Sequence, residues 1–472
     1  MTTKKLKSKL LPVSILAAAL ASSAANAARI GVVDSGTDFK HPGIADQSWI
    51  NPGGLPGDDF TDDTHGWNFA ENNNQVLDYS LLGTFSPDTV KFFEIQLKIL
   101  QGTATAEDKA WLAEKRKDPN FIKELSTFAN FAHGTHVAGI VARTAEEAKV
   151  MAAKIIPTKP RQALARVSEI LTEWLSMRLF ELGLETPASS PADDMMMGMA
   201  LGMIAERQVG MLKNVGKYVG VTQMQVANCS FGTGPAQGRM VAKLVGKMVL
   251  KRDISEEEAI KYGRTFMGLV IEKGAVFVSS APKTLFVIAA GNDGSDNDKE
   301  PVFPANLRQE NTITVAATRD FDSLATFSNY GITKVDIGAP GVGIISMIPG
   351  DGTMAMSGTS QASPFVANLA GKILDKNPNL TPAQVKQILM QTVDKKSFLA
   401  GKVVSEGTAN EERAVRAAQL SNDMDLSAAI LQAKTDVRSL RNNRRNSFGR
   451  IGEGQLRDDG IALPLPSLLD LE

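Results

Sequence analysis

The chain has 472 residues, 43% apolar and 22% charged, with 40 glycines and 21 prolines, an ordinary globular composition that excludes collagen-like repeats and wholesale disorder. Its 51 Lys and Arg against 52 Asp and Glu give a net charge of −1, which offers no reason to expect nucleic acid or an anionic membrane as the main partner. A single cysteine, Cys229, rules out an internal disulfide.

In chain order, Lys4, Lys5, Lys7 and Lys9 precede an apolar run, Leu10–Leu20, and small residues ending Ala25-Asn26-Ala27. That is the pattern of a secretory signal cleaved after Ala27. The run is about half the ~20 residues that a spanning helix needs, so the expectation is an exported product, secreted or periplasmic, with no stable membrane span. Removing residues 1–27 leaves 47 basic and 52 acidic residues.

Arg29–Asp34 reads as a short buried strand ending on a carboxylate in a turn. Residues 46–79, rich in Asp, Asn, Gly and Pro, read as loop. Helical spacing returns over 87–128 as an inserted helical segment, followed by a helix at about 134–147 and a strand at Val150–Ile156. Residues 160–225 are mostly helical, rich in Leu and Met, broken at Pro187–Pro191. A strand at Gln223–Ser230 stops at Phe231-Gly232-Thr233-Gly234, a helix covers about 236–273, and the strand Thr284–Ala290 ends in Gly291-Asn292-Asp293-Gly294. Short strands at Ile313–Ala317 and Val335–Ile337 precede a helix over Ser360–Lys376. Strands alternating with helices predict an α/β fold with a central parallel sheet covered by helices on both faces. From about 421 the character changes: an amphipathic piece, Leu426–Leu440, leads into the basic cluster Arg438–Arg445 and a Gly- and Asp-containing stretch, read as a partly disordered appendage.

In open α/β sheets ligands gather at the carboxyl ends of the strands. Four places there carry chemistry: Asp34, the run His133-Gly134-Thr135-His136-Val137-Ala138-Gly139 opening a helix, Asn292, and Gly358-Thr359-Ser360-Gln361-Ala362-Ser363-Pro364. Carboxylate, imidazole, amide and hydroxyl are the parts of an acyl-transfer machine. A serine attacks a peptide carbonyl only when a neighbouring imidazole takes its proton, a carboxylate holds that imidazole, and an amide and a backbone N–H receive the negative oxygen of the intermediate.

Those motifs, in the order Asp, His, Asn, Ser, resemble the subtilisin-like serine proteases, as do Asp63-x-x-Gly66-Trp67-Asn68-Phe69 and Gly401-Lys402-Val403-Val404, so the likeness spans about residues 29–420. The resemblance implies a subtilisin-like three-layer fold and a serine endopeptidase acting on protein or peptide substrates, with no cofactor required. Asp34 would orient the base, His133 would be the base and Ser360 the nucleophile, with the Asn292 side chain and the Ser360 backbone N–H as oxyanion donors. Ser230, Phe231 and Gly232 would pair with substrate main chain, Ala290, Gly291 and Asn292 would wall the primary pocket, and Val302, where the family often has glycine, would shorten it. The expected organisation is a signal at 1–27, a peptidase domain at 28–420 with helical insertions at about 80–130 and 158–222, and an appendage at 421–472.

Each feature also admits a blander reading. A zinc pair of His133 and His136 lacks a third ligand, and His136 is better read as a packed helix residue; Cys229 reads as a buried strand hydrophobe, and Asp38 as structural. The alternative function is a catalytically weak, protease-like binding protein. The chain also departs from the family. Only Ala28-Arg29 separate the expected cleavage site from the first strand, leaving no room there for the family's usual propeptide, so an insertion or the tail is expected to serve as brake or folding aid. The passage from Arg143 to Val150 is too short for a tight calcium loop, leaving calcium conceivable only at Asp34–Asp63 or Asp293–Asp298 without a clear donor set. Gln361 replaces the usual Met after the nucleophile. Specificity is expected for small or medium apolar residues before the cleaved bond, with Asp293 at the rim as the feature that would favour a basic one instead.

Overall fold

A computed structural model describes residues 27–143, 148–159 and 190–439, apart from positions 54, 56 and 58. The expected signal up to Asn26, most of the second helical segment before Ser190 and the tail beyond Ser439 lie outside the described residues.

The central strand β1 (Arg29–Asp34) is continuously apolar until its last residue and buried over its last five positions, as a strand paired on both edges must be. It is flanked in parallel by β3 (Lys149–Lys154) and β4 (Val226–Cys229). Beyond β3 lies β2 (Gly66–Asn68); beyond β4 lie β5 (Leu285–Ala289), β6 (Thr312–Arg319), β8 (Ile337–Pro340), β12 (Gly407–Thr408) and, antiparallel at the edge, β11 (Asp394–Lys395). A two-residue β7 (Ser323–Leu324) pairs antiparallel with β6. The sheet therefore grows one way from β1 through β3 and β2, and the other way through β4, β5 and β6. The expected parallel sheet is the observed one, and this reversal of direction beside β1 is where open α/β sheets leave a crevice at the strand ends.

Three helices, α1 (Pro87–Gln101), α2 (Ala106–Lys115) and α3 (Pro119–Ala142), fill the first helical segment. Here the structure corrects the sequence reading. No new helix opens at the histidine motif: α3 runs unbroken from the inserted segment through His133 and stops at Ala142. Its true start is signalled by Asp118, whose carboxylate accepts the Asn120 and Phe121 N–H groups, with Pro119 in the first helical position. Gly134 reads locally as a helix breaker, but packing decides: a methyl group on it would collide with the Gly36 carbonyl oxygen.

On one face of the sheet α3 packs with α7 (Thr359–Lys376), α8 (Pro382–Gln391) and α9 (Glu411–Leu420), around Val137, Ile140, Val366 and Ile373. On the other face lie α4 (Ser190–Val221), α5 (Pro235–Val245) and α6 (Glu256–Ser279). The single helix expected over 236–273 is two, because Ser255 starts α6 with a reciprocal Ser255–Glu258 cap. A hairpin that the sequence reading did not resolve, β9 (Ile344–Met347) and β10 (Thr353–Met356), ends four residues before Ser360. Met354, Met356 and Ile348 of this hairpin share a core with Phe92, Phe93, Leu112, Phe121, Leu125 and Phe128, so the inserted helices rest on the strand that leads to the nucleophile motif.

Helix α10 (Leu426–Asp436) lies within the expected appendage, yet Ile430 and Ala433 belong to the main core. Arg413, 5% exposed, donates to the carbonyls of Thr392, Val393 and Val437 and pairs with Asp394 at 3.1 Å, closing the segment after α10 onto the sheet edge. No helix among the described residues is long and apolar enough to cross a membrane.

Phe128 ties the inserted helices together, with its ring 5.0 Å from Phe85 and 5.4 Å from Phe93. Phe128→Ala is expected to lower stability by about 3–5 kcal/mol, read as a drop in the denaturant midpoint of unfolding; a change under about 1 kcal/mol would mean that the inserted core is not coupled to global folding.

Candidate active site

The ends of β1, β3, β4 and β5 lie side by side, with Asp34 opposite Lys154, and Val33, Cys229 and Ile288 in register. Asp34 is 1% exposed and His133 3%. His133 Nδ1 lies 2.7 Å from Asp34 Oδ1, which also accepts the Ser35 N–H at 2.7 Å. The carboxylate therefore fixes Nδ1 as the protonated nitrogen and leaves the lone pair of Nε2 on the other side of the ring. Nε2 is buried and has no hydrogen-bond partner.

Two contacts hold the helix against the β1 turn. Gly134 N–H donates to Ser35 Oγ at 3.1 Å, and Asp38 N–H donates to Thr135 Oγ1 at 3.0 Å. Asp38 acts structurally, accepting from Tyr79 OH, from Lys40 N–H and from Gly350 N–H, each at 2.9 Å. His136, one turn below His133, is fully buried, and burial pushes its pKa down to about 3. Its Nε2 lies 3.1 Å from Ile344 O and 3.0 Å from Met354 O, tying α3 to the β9–β10 hairpin. It is the packed helix residue that the sequence suggested.

Ser360 sits in the first turn of α7, where backbone N–H groups lack intrahelical acceptors. Its hydroxyl points to Ser230 O at 3.5 Å, a long contact, while Ser230 Oγ donates to Ser360 O at 3.1 Å. The structure thus brings Asp34 and His133 into a bonded pair but records no hydrogen bond between His133 and Ser360. Such bonds commonly tighten only when substrate is present. Asn292 is oriented by Thr359, whose N–H and hydroxyl both donate to Asn292 Oδ1, at 2.9 and 2.8 Å. With the amide oxygen so engaged, Nδ2 faces the space above Gly358: a methyl group on Gly358 would lie 3.2 Å from Asn292 Nδ2 and 3.6 Å from Ser360 N.

Of the expected substrate-binding residues, Ser230, Phe231, Gly232, Ala290 and Gly291 follow β4 and β5 directly. Phe231 is wholly buried near Phe277, side chain and backbone alike. The Ala290 carbonyl already accepts from Asn297 Nδ2 at 2.8 Å. Val302 is 2% exposed, in a segment bound to the β4 exit by paired Thr233 and Phe303 backbone bonds of 2.8 and 3.0 Å. A methyl group on Gly234 would lie 3.9 Å from Val302 Cγ2 and 3.6 Å from Asp293 Oδ2, so both side chains border one spot. Burial raises the Asp293 carboxyl above its ordinary value. Cys229 is buried, and burial together with Asp34 pushes its thiol up, the behaviour of an inert strand residue.

The carboxylates considered for calcium face N–H and O–H donors. Asp63 accepts from Asn51 Nδ2 and Tyr218 OH, at 2.6 and 2.5 Å. Asp298 accepts from the Ile332 and Thr333 N–H groups and from Thr333 Oγ1. Among the described residues, no group of three or more His, Cys, Asp or Glu side chains converges as metal ligands.

Lys154 escaped the sequence reading, although a lysine closing an otherwise apolar strand was its visible signal. It is 1% exposed and donates to Ser35 O, Ile156 O and Thr158 Oγ1 at 2.5, 2.9 and 2.9 Å, bracing the turn that carries Asp34.

Fold and geometry together define a class: an α/β protein with Asp, His and Ser, in that chain order, at one edge of a parallel sheet. The chain belongs to the subtilase family of serine proteases, whose sequence profile matches residues 25–417. It is 46% identical over 112 residues to a thermophilic serine proteinase of Bacillus sp. strain AK1, covering 24% of this chain and 26% of that protein. It is 34% identical over 184 residues to alkaline elastase YaB of Bacillus sp. strain YaB, covering 39% of this chain and 44% of that protein. The aligned regions thus span between a quarter and a half of these relatives' lengths. Among solved structures, a cold-adapted subtilisin-like serine proteinase aligns over 81% of this chain and 86% of its own, at 20% identity and a TM-score of 0.39.

Burial lowers the Lys154 pKa from 10.5 to about 8, against the opposing pull of Glu71, Asp34 and Asp78. Between those values the unfolded chain binds the proton that the folded one has released, so this group's contribution to stability rises with pH. Stability of the wild type relative to Lys154→Met is expected to increase from pH 7.5 to pH 10, by up to about 3 kcal/mol at 1.36 kcal/mol per pKa unit, in denaturant titrations; a flat difference would remove Lys154 as the buried titrating group.

Proposed function

We propose that this chain is an exported serine endopeptidase that hydrolyses peptide bonds through Asp34, His133 and Ser360 and an acyl-enzyme intermediate. The observation that carries the reading is the buried Asp34–His133 pair at 2.7 Å, with Nε2 left as an unpartnered base. In this mechanism His133 takes the Ser360 proton as Oγ attacks the scissile carbonyl, and Asp34 stabilises the imidazolium without becoming protonated. Asn292 Nδ2 and Ser360 N–H receive the oxyanion, and His133 then passes the proton to the leaving amine. Substrate main chain adds beside Ser230–Gly232 as an extra strand, giving sequence-tolerant affinity. The charged and apolar pattern of residues 4–27 supports export.

A second reading, a protease-like binding protein with negligible turnover, is favoured by one observation, the Ser360 hydroxyl directed to Ser230 O instead of His133. Fluorophosphonate labelling separates the two. A folded sample labelled on Ser360, with labelling lost in Ser360→Ala, supports the peptidase; a folded sample that takes no label supports the binding protein. For the peptidase, Asn292→Ala is expected to lower kcat by about 100- to 1,000-fold with little change in KM, the cost already known for such a donor in subtilisin itself.

Val302, the branched residue that borders the spot beside Gly234, supports a preference for small or medium apolar residues before the cleaved bond. Cleavage of a peptide library checks this: dominant Phe or Tyr there would contradict the short pocket, and dominant Arg or Lys would shift the assignment to Asp293.

A further inference from the structure

The expected cleavage after Ala27 makes Ala28 the first residue of the exported chain, and Ala28 is fully buried. An α-amino group is mostly protonated at pH 7, and an ammonium taken out of water needs a partner. Ala28 has one. Its backbone nitrogen lies 2.9 Å from Asp375 Oδ1, a contact that spans 347 positions of sequence.

The surrounding bonds fix that nitrogen in place. Ala28 O accepts the Lys149 N–H at 2.8 Å, which seats the residue against β3, and the Arg29 N–H donates to Gln225 Oε1 at 3.1 Å on the side of β4. Helix α7 presses on the same spot, with Gly371 so close that a methyl group on it would lie 2.8 Å from Ile30 Cδ1 and 3.8 Å from Ala28 Cβ. Asp375 is half-buried in the last turn of α7. A carboxylate there faces the negative end of the helix dipole, so a cation beside it is favoured.

Resting on the reading of residues 4–27 as a cleaved signal, we infer that Asp375 is the binding site of the α-ammonium of Ala28, so that processing turns a peptide hydrogen bond into an ion pair. Water splits the Ala27–Ala28 amide; Ala27 leaves as a carboxylate, and the freed nitrogen takes up the proton and becomes an ammonium. While the leader is attached, the same nitrogen is a neutral amide with a single N–H to give. Once charged, its hydrogen bond to a carboxylate is roughly twice as strong. The pair clamps the start of β1 to the end of α7. Asp34 closes β1 and Ser360 opens α7, so the clamp joins these two elements at the ends remote from the site, about 22 Å along the helix from Ser360. Because Ala28 is buried, the cut precedes the laying of β1 into the sheet, and only a chain processed first acquires the clamp.

The test uses the whole gene product exported from a bacterial host in four forms: wild type, Asp375→Asn, one glycine inserted between Ala27 and Ala28, and both changes together. The insertion keeps the Ala25-Asn26-Ala27 site but moves the ammonium one residue outward, leaving Ala28 with an ordinary amide. Intact mass identifies the first residue of each exported product, and denaturant titration gives its unfolding equilibrium constant. Each single change is expected to raise that constant about tenfold or more, and the double change to stay within about threefold of the worse single one, because both remove the same pair. Equal stability of the wild type and the glycine form would overturn the inference, as would two effects that simply multiply. Should Asp375→Asn fail to fold, the comparison of wild type with the glycine form decides alone. An exported product with a different first residue, or no exported product, refutes the reading of the signal and the ammonium with it, an outcome that the mass separates from failure of the ion pair.

Discussion

The site depends on a close approach between two backbones. Asp34 and His133 are 99 positions apart in sequence, and their 2.7 Å contact exists because α3 lies directly on the turn after β1. The crossing point is Gly36 against Gly134. Gly36 adopts a φ of +114°, open in practice only to glycine, and Gly134 leaves no Cβ between the helix and the Gly36 carbonyl. A side chain at Gly134 would push the helix, and the imidazole with it, away from the carboxylate, whereas one at Gly36 would strike the Val76 carbonyl oxygen. Ser35, Thr135 and Lys154 then reinforce the approach with hydrogen bonds from three directions. A charge-assisted bond between buried groups needs such enforcement, since a small misplacement would leave a carboxylate desolvated and unpaired.

The Ser360 side is built by a different route. Ser360 and Asn292 come from the first turn of α7 and the exit of β5, and Thr359 binds them together through Asn292 Oδ1. The β9–β10 hairpin joins the two halves. It receives His136 from α3, carries the apolar side chains that seat the inserted helices and leads directly into Gly358. The helices over 87–128 are thus packed against both the stretch of α3 that carries His133 and the strand before Ser360.

Much of this was legible in the sequence. The β1 strand, its terminal carboxylate, the alternation that makes a parallel sheet and the four motifs at its carboxyl edge all depend on local patterns, and those patterns are strong. The start of α3 was misplaced because Gly134 looks like a helix boundary from within its own window, whereas its reason lies at Gly36, almost a hundred residues away. The β9–β10 hairpin was readable from Pro349-Gly350-Asp351-Gly352 between short apolar runs, but its strands have only four residues each. Lys154 was opaque for another reason: its role comes from what it touches across the sheet edge, and no spacing along the chain encodes a buried ammonium bracing a turn.

The fusion of the inserted segment with the helix of the base makes α3 a lever. From Pro119 to His133 it is a rod about 21 Å long at 1.5 Å per residue, pinned beside the histidine where Gly134 meets Gly36. A tilt of about 5° about that pin moves the far end by about 2 Å, while the imidazole, next to the fulcrum, stays almost where it was. The outer helices are therefore free to change sequence, length or company with little disturbance to the bond between Asp34 and His133.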